Sequence, residues 1–148
     1  MSKRPKASKV AKSVAKAITD PQDMFTDMVK RAGEPLASVV RSRGGKPLRV
    51  ATMCSGTEAP MIALTHIKKA ILEVHGLSLN VEHVFSCEIE PFKQAYIEAN
   101  FQPAKLFRDI RELPEGVATT AYGNRVDVPR NVDILVAGTS CVDNSTLR

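Results

Sequence analysis

The sequence predicts an α/β fold in which about four parallel strands form one sheet with flanking helices. Short apolar runs typical of strands alternate with longer segments whose apolar residues recur at helical spacing. The last of these runs, residues 132–138, is apolar on both faces, as strands inside parallel sheets are. This alternation of strands and helices is typical of a doubly wound α/β domain.

Composition restricts the classes of protein that the chain can belong to. Its 148 residues, 43% apolar and 25% charged, suffice for one domain with a core. No apolar run approaches the roughly 18–20 residues of a membrane span, so we expect no membrane partner. Cys54, Cys87 and Cys141 are widely spaced and form no zinc-ligand pattern, which predicts free thiols, no metal and an intracellular setting.

Positive charge is concentrated in the N-terminal third of the chain. Residues 1–46 hold 11 Lys and Arg against 4 Asp and Glu, whereas residues 47–148 hold 10 against 12. We therefore divide the chain into a basic N-terminal extension (1–46), partly disordered with one short helix, and a folded part (47–148). The extension can attract phosphate backbones without reading their sequence. A solvated leader and a mitochondrial presequence are alternatives.

The short helix of the extension has clear boundary signals. Asp20 predicts its N-cap and Pro21 its first position, because a carboxylate accepts free backbone N–H groups there and proline has none to lose. Gly33 is expected to end the helix. Residues 41–47, RSRGGKP, predict a flexible joint before the folded part.

The folded part predicts strands and helices in alternation. Because right-handed crossovers place the carboxyl ends of parallel strands along one edge, residues just past each strand are expected to meet there. The strands are predicted at residues 48–53, 81–86, 105–110 and 132–138, the helices over 59–75 and from Pro91 to about residue 100, and 111–131 as a polar loop.

Each predicted strand is followed by a residue with useful chemistry. Gly56 allows a tight turn beside a ligand, although one glycine does not make a dinucleotide-binding fingerprint. Glu88 stands where acids commonly accept hydrogen bonds from ribose hydroxyls. Asp109 and Cys141 follow the third and fourth strands. Each of these residues also has a structural explanation: Gly56 as a turn, Glu88 as a charge at a helix end, Asp109 as a cap and Cys141 as a buried thiol. Taken together, however, they favour a functional site.

These segments resemble the catalytic domain of cytosine-C5 DNA methyltransferases over roughly residues 48–148. MCSGTEAPMIAL resembles the first motif of the family, FSCEIEPFKQAYIEANF is the closest match, FRDI resembles the third motif, and ILVAGTSCVDNS resembles the fourth, which carries the nucleophile. The similarity is closest to the divergent fungal-type branch. It implies the N-terminal part of the domain: a truncated Rossmann-like methyltransferase sheet of four strands, in order 3-2-1-4, where the family has seven.

The resemblance implies a site for S-adenosyl-L-methionine (AdoMet) and assigns roles to individual residues. Cys141 is then the catalytic nucleophile, and Glu88 holds the ribose hydroxyls. Ile89 packs on the adenine, and Asp109 and Ile110 contact its edge. The other cofactor residues are Cys54, Ser55, Gly56, Thr57 and Glu58, which wrap the methionine end, and Ser140, which stands where most members have proline.

The chain departs from the family in the first-motif loop. Glu58 and Ala59 stand where two glycines usually lie, which adds a carboxylate near the expected methionine end. That carboxylate can pair with the AdoMet amino group or repel the AdoMet carboxylate, and the sequence leaves both open.

The resemblance implies methyl transfer from AdoMet to cytosine C5 of DNA, through a Cys thiolate that adds to C6. The family's later motifs, a Glu that protonates N3 and a target-recognition region, have no counterpart before Arg148, so we expect a fragment with little activity alone. DNA is the expected partner, and a nuclear location is compatible with it. Alternatives are an RNA cytosine methyltransferase, a non-catalytic nucleic-acid-binding fragment and a nucleotide-dependent oxidoreductase, although the last lacks G-x-G-x-x-G.

Overall fold

The computed structural model describes residues 18–139, which form a parallel sheet with flanking helices and a small hairpin. The strands are β1 (Leu48–Met53), β2 (Val81–Cys87), β3 (Leu106–Phe107), β4 (Val117–Thr119), β5 (Arg125–Asp127) and β6 (Ile134–Ala137). The helices are α1 (Pro21–Ser42), α2 (Ala59–His75), α3 (Pro91–Asn100) and a 3₁₀ helix (Ile110–Glu115).

The sheet has the strand order β3-β2-β1-β6, and all its neighbours pair in parallel. The predicted α/β class and the order 3-2-1-4 are therefore confirmed, with β6 as the fourth strand of that order. Both helices predicted in the folded part are present, and Gly76 ends α2 in the left-handed conformation at φ 64°. Such a glycine is a common helix C-terminal signal because it has no Cβ to clash.

One apolar core lies between the sheet and the hairpin. Phe85 of β2 and Phe107 of β3 meet edge to face with ring centroids 5.6 Å apart. Ala51 of β1 and Ala118 of β4 are fully buried against them. This core therefore connects strands β1, β2, β3 and β4.

The N-terminal helix is longer than the sequence predicts. The Asp20 side chain caps it by accepting a hydrogen bond from the Gln22 backbone N–H at 2.6 Å, as expected. Gly33 interrupts the helix (φ 54°, ψ −144°), but a second helical segment runs on to Ser42. The prediction of a flexible joint is therefore wrong at residues 41–42. Pro35 opens this second segment, and proline is favourable in a first helical turn.

Helix α1 packs against α2 and forms a second apolar core. Val29 and Val40 of α1 lie in one buried cluster with Ala70 and Ile71 of α2 and with Leu79. The apolar faces of two amphipathic helices exclude water from each other in this way. The described part of the extension thus contributes to the same fold, and the proposed domain boundary after residue 46 stays a prediction.

The segment between β3 and β6 carries more structure than expected. Strand β3 covers only residues 106–107 of the predicted 105–110, because Asp109 caps the 3₁₀ helix by accepting from the Arg111 backbone N–H at 2.9 Å. The hairpin β4–β5 follows within the predicted loop 111–131. Alternating apolar residues are too few in such short strands to predict them.

Two further observations apply to residues 18–139 alone. None of the helices in that range is both long enough and apolar enough to cross a membrane. The same range holds no group of three or more His, Cys, Asp or Glu side chains placed to bind a metal ion.

Candidate cofactor site at the carboxyl edge of the sheet

A cavity of about 520 Å³ lies at the carboxyl ends of the parallel strands. It is lined by residues that follow three different strands: Cys54 after β1, Glu88 and Ile89 after β2, and Asp109 and Ile110 after β3. The structure thus brings together five of the residues that the sequence analysis assigns to cofactor binding. The remaining residues that line the cavity are Cys87, Glu90, Lys93, Arg108, Arg111 and Gly138.

The loop after β1 adopts a tight turn beside this cavity. Cys54, Gly56 and Glu58 all have φ near 55°, at 51°, 54° and 56°. The Glu58 backbone N–H donates to the Ser55 carbonyl at 2.9 Å and closes the turn. Only glycine adopts such angles without cost, so the two other residues need support from their surroundings. Thr57, at the outside of the turn, is exposed and does not line the cavity.

Glu88 is buried at the floor of the site, and its carboxylate is held in one orientation. Its Oε2 accepts a hydrogen bond from the Gly56 backbone N–H at 2.8 Å. Its Oε1 accepts from the backbone N–H groups of Ile89 at 3.0 Å and Glu90 at 3.1 Å. A carboxylate has about four acceptor positions, so about one remains for a hydroxyl group of a ligand.

Apolar and charged groups flank this carboxylate. Ile89 and Ile110 expose 65% and 37% of their surface, which gives the cavity two open apolar faces. The Asp109 carboxylate binds the Arg111 guanidinium through Nε at 3.0 Å and Nη2 at 2.6 Å. The hydrogen bonds from the Arg111 side chain and backbone lower the pKa of Asp109 to about 2. Asp109 is therefore an ionised acceptor throughout the physiological pH range.

Glu58 does not line the cavity, and its predicted contact with the methionine end of the cofactor stays a prediction. It is fully buried, and its Oε1 accepts hydrogen bonds from the hydroxyls of Thr52 at 2.8 Å and of Ser86. His83 Nε2 lies 2.9 Å from the Ser86 hydroxyl and 3.8 Å from Glu58 Oε1. Burial lowers the pKa of His83, and the nearby Glu58 carboxylate partly opposes that shift.

The cysteines of the site differ in their environments. Cys87 is fully buried, and burial, followed by the nearby Cys54 thiol and acidic side chains, raises its pKa to about 12. Cys87 is therefore a neutral thiol at physiological pH and a poor nucleophile. Cys54 is partly exposed and lines the cavity.

The predicted nucleophile segment begins beside the cavity. Ser140 and Cys141 lie outside the described residues. Before them, the Gly138 backbone N–H donates to the Met53 carbonyl at 3.1 Å, which fixes the end of β6 next to the start of the Cys54 loop. A Cβ at Gly138 would lie 3.6 Å from the Cys54 carbonyl oxygen. The chain therefore leaves the sheet at the mouth of the site.

Sequence reasoning missed the basic residues of the cavity. Lys93 stands in the first turn of α3, Arg108 follows β3, and Arg111 is the second residue of the 3₁₀ helix. Their only signal is proximity to the motif residues Glu88 and Asp109, because scattered Lys and Arg are normal on any surface. In the structure they line the cavity together with the acidic residues Glu88, Glu90 and Asp109, and Arg111 is paired with Asp109.

The fold and the cavity together define a class. A parallel sheet in this order, with a ligand-sized cavity at the carboxyl edge and a buried acid after the second strand, is the arrangement of a Rossmann-like α/β fold. The chain matches no protein-family model.

Comparison with curated proteins identifies relatives within that class. The chain is 61% identical over 130 residues to DNA (cytosine-5-)-methyltransferase DMT5 of Cryptococcus neoformans var. grubii, which covers 88% of the chain and 5% of that relative. It is 37% identical to DNA (cytosine-5-)-methyltransferase DMT5 of Verticillium dahliae over 99% of the chain and 6% of that relative. The chain is thus homologous to a segment of cytosine-5 DNA methyltransferases from fungi, which confirms the family resemblance predicted from its motifs.

Proposed function

We propose that the cavity binds AdoMet and that the chain is the cofactor-binding part of a cytosine-5 DNA methyltransferase. The observation that carries the proposal is the convergence of Glu88, Ile89, Asp109 and Ile110, from two strand ends, on one cavity beside the Cys54 loop. The chain spans about one-twentieth of the length of the relatives it matches. The proposal therefore extends the methyltransferase activity and the DNA substrate that their names state to a small segment, with little methyl transfer of its own. A nuclear location of this chain is part of the same proposal.

The cavity suits a nucleoside-containing ligand. Its volume of about 520 Å³ falls within the roughly 300–1,000 Å³ that is typical of small-molecule sites. The oriented carboxylate of Glu88 supplies a free acceptor position for a ribose hydroxyl. Ile89 and Ile110 offer apolar faces for the adenine ring, and Asp109 supplies an ionised acceptor for its amino group. The loop from Cys54 to Glu58 is the proposed neighbour of the methionine end.

We assign the attack on the base to Cys141. Its thiolate adds to C6 of cytosine and makes C5 electron-rich; after C5 is methylated, the C5 proton leaves and the C6–S bond breaks, which returns the thiolate. AdoMet, when bound, supplies the methyl group. Cys87 is unsuited to this role because it is buried and its pKa is raised to about 12. The base must also leave the DNA stack to react with such a thiol.

Isothermal calorimetry on the 148-residue chain tests the cofactor assignment. We expect AdoMet to bind weakly, and Glu88→Ala to reduce its affinity by about tenfold or more, because a charge-assisted hydrogen bond to the ribose is lost together with the one that holds the Gly56 N–H. Glu34→Ala is the matched control, since that carboxylate is exposed on α1, and it should bind like the parent. Equal affinity for Glu88→Ala and the parent, or no binding by the folded parent, would contradict the proposal.

A further inference from the structure

The proposed function leaves the buried carboxylate of Glu58 without a role. Glu58 stands where the family has glycine, is fully buried and does not line the cavity. Its Oε1 accepts two hydroxyl hydrogen bonds, while its Oε2 has no hydrogen-bond partner within the described residues. The burial of a carboxylate costs free energy of desolvation, which its hydrogen bonds or ion pairs must offset.

The hydrogen bonds around Glu58 have one possible direction when the carboxylate is ionised, because it then only accepts. The Thr52 hydroxyl donates its single proton to Glu58, so its oxygen accepts from the Ser55 hydroxyl 2.8 Å away, whose other acceptor, the Cys87 carbonyl oxygen, is more distant at 3.3 Å. The Ser86 hydroxyl also donates to Glu58, so its oxygen accepts from His83 Nε2 at 2.9 Å. A directed chain of hydrogen bonds therefore joins the buried carboxylate to Ser55 in the loop.

Glu58 contacts the loop through its backbone as well. Its N–H donates to the Ser55 carbonyl at 2.9 Å, and its own φ of 56° lies in the left-handed region. From the cavity side, Glu88 accepts the Gly56 N–H at 2.8 Å. The loop from Cys54 to Glu58 is thus held between two carboxylates, one beneath it in the core and one at the cavity.

From this arrangement we infer that Glu58 is a positioning residue, which holds the Cys54–Glu58 loop in its left-handed turn from inside the fold. Its relevance to cofactor binding rests on the proposed function, whereas its effect on the loop does not. The carboxylate fixes in one conformation a turn that a glycine at position 58 would leave freer. The substitution of a family glycine by Glu58 is then a different solution for the same loop.

Amide hydrogen exchange, followed by NMR on the 148-residue chain without cofactor, tests this inference. The backbone N–H groups of the loop report on its opening because each is hydrogen-bonded: that of Ser55 to Cys87, that of Gly56 to Glu88 and that of Glu58 to Ser55. We expect Glu58→Ala to accelerate exchange of the first two by about tenfold relative to core amides, because the hydroxyls of Thr52 and Ser86 lose a buried acceptor. Glu58→Gln keeps an acceptor oxygen and should restore most of the protection.

Two further variants keep the test decisive. Thr26→Val removes a buried hydroxyl in the α1–α2 core, remote from the loop, and should leave loop exchange unchanged relative to core amides. Ser55→Ala removes the hydrogen bond between the Ser55 and Thr52 hydroxyls, while the Glu58 carboxylate stays in place. This variant should accelerate exchange of the Gly56 N–H even if Glu58→Ala fails to fold. Exchange that rises equally throughout the fold in Glu58→Ala, or that stays at the parent rate in Ser55→Ala, would overturn the inference.

AdoMet calorimetry on the same variants separates the inference from the proposed function. If the parent binds AdoMet, Glu58→Ala should weaken binding by about tenfold and Glu58→Gln by less, since an ordered loop reduces the ordering cost of binding. Unchanged affinity in Glu58→Ala would overturn the link to the cofactor. No binding by the parent would contradict the proposed function alone, because the exchange rates decide the role in the loop independently.

Discussion

Acidic side chains organise the candidate site at the scale of single residues. Glu88 collects three backbone N–H groups, from Gly56, Ile89 and Glu90. Asp109 caps the 3₁₀ helix and pairs with Arg111. In each case a carboxylate that faces the cavity is oriented by donors from its own neighbourhood. A ligand would then meet acceptors that are already in position, which reduces the entropy lost on binding.

The pKa of Asp109 is the residue-scale prediction. Carbon-detected NMR should show Asp109 titrating near pH 2, because Arg111 hydrogen bonds favour its ionised form. Since the folded pKa is below the ordinary value of 3.8, the stability from this pair is present above pH 4 or so and is lost as the pH falls towards 2. Arg111→Ala should raise the pKa towards 3.8, and Arg31→Ala, remote on α1, should leave it unchanged.

A pKa of Asp109 near its ordinary value in the parent chain would show that the pair with Arg111 is not formed in solution. The same result would remove the argument that Asp109 is presented to a ligand as an oriented, ionised acceptor.

At the scale of elements, contacts at both ends of β6 fix its place in the sheet. Asp133, just before β6, accepts from the Arg49 backbone N–H at 2.9 Å and from the Arg43 guanidinium at 2.8 Å. The hydrogen bond from the Arg49 backbone, which has the larger effect, and the one from the Arg43 side chain lower the pKa of Asp133. They also fix the start of β6 against β1. Further along, Gly138 leaves the sheet beside the Cys54 loop.

The kink in α1 gives the element-scale prediction. Gly33 adopts φ 54° and ψ −144°, a combination that side chains with a Cβ strongly disfavour. Gly33→Ala should lower the free energy of unfolding by about 1–3 kcal/mol, measured by urea denaturation. Ser38→Ala, at an exposed position of the same helix, should change it by less than about 0.5 kcal/mol. A Gly33→Ala chain as stable as the parent would mean that α1 is not kinked in this way.

How far the sequence predicts these elements depends on how local their signals are. Helix α2 and its end at Gly76 follow from spacing and composition within one segment, and the structure agrees. The second part of α1 was missed because Gly33 does interrupt the helix. Only the packing of Val40 against α2 favours a further helical segment after it. The hairpin within 111–131 has three-residue strands, which carry too little periodicity to be distinguished from a loop.

At the scale of the whole molecule, the topology turns separate motifs into one site. Residues 54, 88 and 109 are far apart in the sequence, and the order β3-β2-β1-β6 places them around a single cavity. This convergence was predictable, since parallel strands share one carboxyl edge. The buried position of Glu58 was not, because the sequence shows its place in the motif but not the hydroxyls of Thr52 and Ser86 that bind it.

A second cavity gives the whole molecule an internal control for ligand binding. It has a volume of about 410 Å³ and lies between the end of α3 and the β4–β5 hairpin, lined by Gln102, Tyr122 and Asn124 among others. None of the proposed cofactor residues lines it. A ligand that prefers this cavity would perturb a separate set of amides.

The central claim is that AdoMet binds at the carboxyl edge of the sheet, and an NMR titration of the 148-residue chain tests it most directly. Added AdoMet should shift the backbone amides of Gly56, Glu88, Ile89 and Ile110 together, with one common dissociation constant. The amides of Tyr122 and Asn124 at the second cavity should stay in place. Shifts confined to the second cavity, or no shifts in a chain that is folded, would contradict the claim.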